Sequence, residues 1–294
     1  MKTKVSLALS GGGARGLAHI GVIEELEDKG FEISAIAGTS MGALVGGVYA
    51  AGKMPEFKEW MLTLDKVKIL RLVDFSFSTQ GLIKGDRVFS KMNDYISEIS
   101  IEDLKIPYAA VAVDLLEKRE VVFTKGSIYK AIRASVSIPS VFTPVKKDKT
   151  LLVDGGVLNN IPVNHVKRMP GDILIAVDVN ANIPPVKPEI SEEDDAERQG
   201  MYMEKMQLLQ KHLRKMLPGN SKAHMGYFDL MNETISLMTN TISSMILEKH
   251  PPDLLIRISR QSAGTFDFYK AEELIEIGHM MARDALDAHQ KKHE

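Results

Sequence analysis

Two glycine-rich turns constrain this chain more than any other feature. Each follows a short apolar run and opens a helical pattern. The first is Ser10-Gly11-Gly12-Gly13-Ala14-Arg15-Gly16, after residues 5–9. The second is Gly38-Thr39-Ser40-Met41-Gly42, after residues 33–37. A strand that turns at once into a helix, twice in succession, predicts parallel strands with helical crossovers rather than hairpins. At 294 residues, a chain of this kind buries most of its surface without needing a disulfide or a structural metal. We therefore expect one domain over 1–294.

Composition narrows the chemistry. The absence of cysteine excludes a disulfide scaffold, a Cys-ligated metal site and a thiol nucleophile. With 37 basic against 39 acidic residues, the net charge of −2 argues against nucleic-acid binding. Two segments mimic membrane signals. Lys2 and Lys4 precede an apolar run, but 5–9 is too short for a signal peptide. Residues 33–52 carry no charge. They are mostly Gly, Ala, Ser and Thr, and read as a buried strand–turn–helix. A cytoplasmic protein is expected, with any membrane association peripheral.

Strands are predicted at 5–9, 33–37, 108–113, 121–124, 151–153, 173–179 and 254–259. Helices are predicted at 17–29, 42–51, 55–72, 87–99, 128–135 and 271–288. The fold class is α/β, a mostly parallel central sheet with helices on both faces. After Asn180 the pattern changes. A Pro-rich breaker and an acidic run lead into two amphipathic stretches, 202–216 and 228–245, separated by Pro218-Gly219-Asn220. This reads as an acidic connector and an inserted αα-hairpin over 181–250.

Gly11-x-Gly13-x-x-Gly16 has the form of a dinucleotide fingerprint, but the second strand ends in Gly38-Thr39-Ser40 with no carboxylate for a ribose. No cofactor and no metal are expected. What survives is a nest of backbone N–H groups at a helix N-terminus, suited to a phosphate or to the oxyanion of an attacked ester. Gly38-x-Ser40-x-Gly42 sits where a sharp strand–helix turn lifts a serine hydroxyl out of the sheet. Ser40 is the candidate nucleophile and needs a base. None of the eight histidines lies in a strand-end loop beside glycine or an acidic orienter. Asp154 ends an apolar strand and precedes Gly155 and Gly156, which allow another loop to approach. Asp114 and Asp178 end strands too, and read better as loop caps.

Together these pieces resemble the patatin-like phospholipase family. The motifs at 11–16, 38–42 and 154–156 match in order and spacing. The match extends through Ser135–Pro139, 142–144 and 159–162, and covers about residues 4–180. The resemblance implies a Ser40–Asp154 dyad with no catalytic histidine. It also implies an oxyanion hole from the Gly11, Gly12, Gly13 and Ala14 amides, with Arg15 bracing the loop or adding positive charge. The reaction implied is hydrolysis of a phospholipid or other fatty-acyl ester. Acyl transfer by the same serine and a non-catalytic regulatory role are the alternatives.

The 181–250 segment is not covered by the resemblance. Half of the 16 methionines lie between Met201 and Met245, and no acidic residue occurs from Lys205 through Phe228. A soft apolar face beside a basic tip suits peripheral contact with an anionic lipid surface through 201–245. The same stripes suit packing on the domain or a homodimer.

Overall fold

The structure is a computed structural model. It describes residues 2–72, 75–78, 81–83, 85–96, 99–147, 149–188 and 227–293. The order opens β1 (Lys4–Leu9), a 3₁₀ turn (Gly13–Leu17), α1 (Ala18–Asp28), β2 (Glu32–Thr39) and α2 (Met41–Ala50). The charge-free stretch is thus a strand, a turn and a helix, and nine of the ten α2 residues are buried. There follow α3 (Met54–Leu62), α4 (Lys66–Leu72), β3 (Phe75–Ser78), β4 (Gly81–Ile83) and α5 (Asp86–Ile96). Then come β5 (Tyr108–Asp114), β6 (Arg119–Phe123), α6 (Ile128–Ser135), β7 (Ser140–Phe142), β8 (Val145–Lys147) and β9 (Thr150–Asp154). The chain continues with β10 (Ile173–Ala181), α7 (Tyr227–Lys249), β11 (Leu254–Ser259) and α8 (Ala271–His293).

The main sheet runs β11-β10-β1-β2-β5-β9-β8, with β6 also on β5. From β11 to β5 every pairing is parallel. β6, β8 and β9 add antiparallel pairings at the far side. The main core lies between one face of this sheet and α1, α2, α6 and α8. On the opposite face a smaller alanine-rich cluster packs with Ile246 and Leu247 of α7. The α/β architecture with helices on both faces is the expected one.

α1 and α8 cross closely because each carries a glycine at the contact. A Cβ on Gly21 would strike the Ile275 carbonyl, and one on Gly278 would strike the Ala18 carbonyl. The ion pair of Arg283 with Glu25, 2.9 Å, flanks the crossing.

Several elements differ from expectation. The helix predicted over 55–72 is two helices. Thr63 Oγ1 donates to the Trp60 carbonyl, and Asp65 Oδ1 accepts the Lys68 N–H and starts α4. A small second sheet, β3-β4-β7, had no sequence signal, since strands of three or four residues are too short for alternation to register. The second arm of the expected hairpin is present as α7. The first arm, 202–216, lies outside the described residues. Among the described residues no helix is long and apolar enough to cross a membrane.

Candidate active site

The site is assembled by β5. Along one edge, β2 pairs Ile36 to Thr39 with Tyr108 to Val111. β9, running the other way, pairs Asp154, Val153 and Leu152 with Ala112, Val113 and Asp114. The other edge of β5 is taken by β6 over Ala110 to Asp114, so β2 and β9 must share one edge. Their ends therefore meet head-on at the adjacent residues Val111 and Ala112. Ser40 leaves the end of one strand and Asp154 ends the other.

Ser40 stands at φ 53°, ψ −122°, a region that an L-residue enters only under strain. Its hydroxyl lies close enough to the Asp154 carboxyl to lower that group's proton affinity. Its N–H donates to Ser135 Oγ at 2.8 Å, and Ser135 Oγ donates to the Val111 carbonyl at 2.6 Å. The turn is tight because Gly42 has no side chain: a Cβ there would overlap the Leu9 carbonyl. Thr39 Oγ1 donates to the Asn159 carbonyl, 2.8 Å, and ties the turn to the segment after Gly155-Gly156.

Asp154 is 6 % exposed. Burial pushes its carboxyl up to about 6, while the Ser40 hydroxyl and the Gly156 N–H pull it back. The Gly156 N–H donates to Oδ1 at 2.8 Å. A carboxyl with that affinity is ionised at neutral pH yet remains basic enough to take a proton.

The glycine loop lies beside this pair. Gly11 N–H donates to the Asn160 carbonyl at 3.1 Å, and Ala14 N–H donates to the Thr265 carbonyl at 2.9 Å. Two of the four expected oxyanion donors are therefore already engaged. Gly12 and Gly13, at the mouth of the 3₁₀ turn, donate to no acceptor among the described residues. Arg15 points away from the loop's open side. Nε donates to the Val179 carbonyl, Nη1 to the Ala263 carbonyl and Nη2 to Asn180 Oδ1, while Asn180 Nδ2 donates to the Gly11 carbonyl at 2.6 Å. These bonds fasten the loop to the end of β10 and to residue 263.

Among the described residues, His19 and His165 have partners other than Ser40 and Asp154. His19 is fully buried, and burial pushes it down to about 4. Its Nε2 bonds the Ser10 carbonyl at 2.8 Å beneath the glycine loop. His165 pairs through Nε2 with Glu120, 2.6 Å, holding that carboxyl below its ordinary range. The rival carboxylates are loop acceptors. Asp114 Oδ1 accepts the Leu116 and Leu151 N–H groups, and Asp178 Oδ1 accepts the Asn180 N–H. No group of three or more potential metal ligands occurs among the described residues.

A family model described as Patatin-like phospholipase matches residues 7–167. The chain belongs to the patatin-like phospholipase family. An uncharacterized NTE family protein of Mycobacterium tuberculosis is 35% identical over 332 residues, spanning 97% of this chain and 92% of that one. Neuropathy target esterase of Drosophila melanogaster is 31% identical over 184 residues, 60% of this chain and 13% of that one. The crystal structure of VipD from Legionella pneumophila superposes with a TM-score of 0.50, covering 98% of this chain and 67% of that one, at 13% identity. That likeness concerns the fold. The Patatin match ends at 167, ahead of the 181–250 segment that the sequence resemblance left uncovered.

Three positioning groups carry no motif of their own. Ser135 was within the resemblance, but its bond to the Ser40 amide depends on α6 packing on β5. Thr265 holds the glycine loop from far along the chain. Asn180 supports it from the end of β10. The affinity of Asp154 for a proton is raised above the ordinary 3.8. The folded chain therefore keeps this proton where the unfolded chain has lost it, and folding is penalised as pH rises through 4 to 6. The full penalty above that window is on the order of 3 kcal/mol. Asp154→Asn is expected to raise the urea midpoint at pH 8, with the gain fading as pH falls towards 4. Equal midpoints at pH 8 would contradict the buried carboxylate.

Proposed function

We propose that this protein is a serine lipid acyl hydrolase of the phospholipase or carboxylesterase type, working through a Ser40–Asp154 dyad. Family membership supports lipid hydrolysis in general. The observation that carries the finer reading is a strained serine beside a buried carboxyl whose proton affinity is raised to about 6.

In this reaction ionised Asp154 takes the Ser40 hydroxyl proton as Oγ attacks the ester carbonyl carbon. The tetrahedral oxyanion is received by the Gly12 and Gly13 N–H groups, with the positive end of the following helical turns behind them. Asp154 then returns the proton to the departing alcohol oxygen. A water, deprotonated by the same carboxylate, attacks the acyl-enzyme. The tetrahedral adduct collapses with release of the fatty acid, and the proton passes from Asp154 back to Ser40 Oγ. No histidine is needed, because one carboxyl of suitable pKa serves as base and as acid in turn. With p-nitrophenyl esters, Ser40→Ala and Asp154→Asn are expected to lower kcat by about 10³-fold or more. The wild-type kcat/KM should rise with pH to a plateau above an apparent pKa near 6. Full activity in Asp154→Asn would refute the dyad.

The reading extends to where the substrate is met. α7 is tied to both walls of the site: Thr239 Oγ1 donates to the Gly156 carbonyl, 3.4 Å, and Glu233 pairs with Arg260, 3.5 Å. Its outer face leaves Leu230, Ile235, Leu237, Met238 and Met245 exposed. The sequence before it, from Lys205 to Phe228, holds five Lys and Arg and no acidic residue. We assign this outer face to a lipid surface. Wild type should sediment with anionic vesicles and release at high salt, and Leu237→Ser/Met245→Ser should stay in the supernatant. Equal supernatant fractions, or a dimer that the double variant dissociates, would overturn the assignment.

A further inference from the structure

A cavity of about 370 Å³ opens at the start of β5, where Tyr108 pairs with Ile36 of β2. That volume falls within the roughly 300–1,000 Å³ of small-ligand sites. Its floor is apolar, with Ile36 and Leu104 among the lining residues. Its rim carries Lys125, Lys167, His165 and Glu102. Glu102 is engaged by the Gly126 N–H at 2.7 Å. His165 is held by Glu120. Neither lysine forms an ion pair within 4 Å of a described residue. The rim thus presents two ammonium groups against one partly occupied carboxylate, over a hydrocarbon-lined recess.

We propose that this cavity is a non-catalytic site for a fatty-acid anion, its carboxylate between Lys125 and Lys167 and its chain on the apolar floor. An ammonium pair over apolar walls fits a head of one negative charge and a hydrocarbon tail. It gives an uncharged alcohol of the same length no charge to hold. The choice of a fatty acid rests on the proposed reaction, which releases that product; the cavity itself is independent of Ser40.

The position relative to the dyad is specific. His165, on the rim, bonds Glu120 Oε2. The same oxygen accepts Asn159 Nδ2 at 3.0 Å, and the Asn159 carbonyl accepts Thr39 Oγ1. Thr39 precedes the nucleophile. The rim and the Ser40 turn thus share one run of hydrogen bonds.

The test is isothermal titration of the full chain with dodecanoate below its micelle concentration, with 1-dodecanol as the uncharged probe. Wild type and Ser40→Ala should bind dodecanoate alike and in preference to dodecanol. Lys125→Glu/Lys167→Glu, surface changes that leave the core intact, should weaken dodecanoate at least about tenfold while leaving dodecanol unchanged. Undiminished dodecanoate binding in the charge-reversed variant would overturn the site, as would equal affinity for the two probes. Because no turnover is read, loss of the hydrolase reading would appear separately, as unchanged esterase activity in Ser40→Ala.

Discussion

Everything at the candidate site depends on the register along one edge of β5. Val111 ends the pairing with β2 and Ala112 begins the pairing with β9. Two strands arriving from opposite directions on consecutive residues leave no room for either to continue. β2 breaks upward into the Ser40 turn and β9 breaks into Gly155-Gly156. A slip of one residue would turn every side chain of β9 to the other face and take the Asp154 carboxyl away from Ser40.

Around that junction several buried polar groups fasten the backbone. Ser135 links the Ser40 amide to the Val111 carbonyl, so the strained turn is fastened to the strand that defines it. Arg15 and Asn180 fasten the glycine loop to the end of β10, and Thr265 holds its far side. The outcome is a loop whose Gly12 and Gly13 amides donate to no acceptor among the described residues, as the proposed oxyanion hole requires. Preorganised donors of this kind need no reorganisation when charge develops, which is a reason for so many contacts to converge on so few residues.

Much of this was legible in the sequence. The two glycine turns and the Asp154-Gly155-Gly156 strand end name their own local geometry, and their order matches the family. What was not legible is set by distant partners. The engagement of the Gly11 and Ala14 amides depends on Asn160 and Thr265, which no local pattern announces. The helix at 55–72 looks continuous by periodicity and is divided by the cap at Asp65. In α7 the spacing of Ile235, Met238 and Met245 correctly marks one face, but periodicity cannot say which face meets the protein. Here the small residues Thr239 and Ser243, with Ile246 and Leu247, face inward, and the methionine stripe faces out.

In the proposed dyad, Ser40 is a nucleophile activated by a carboxylate alone. The direct measurement is covalent labelling with a fluorophosphonate, the modified residue being located by mass spectrometry in wild type, Asp154→Asn and Asp114→Asn. A label is expected on Ser40 in wild type and Asp114→Asn, and is expected to be lost or greatly slowed in Asp154→Asn. Labelling of Ser40 at the same rate in Asp154→Asn, or none at Ser40 in the wild type, would contradict the dyad.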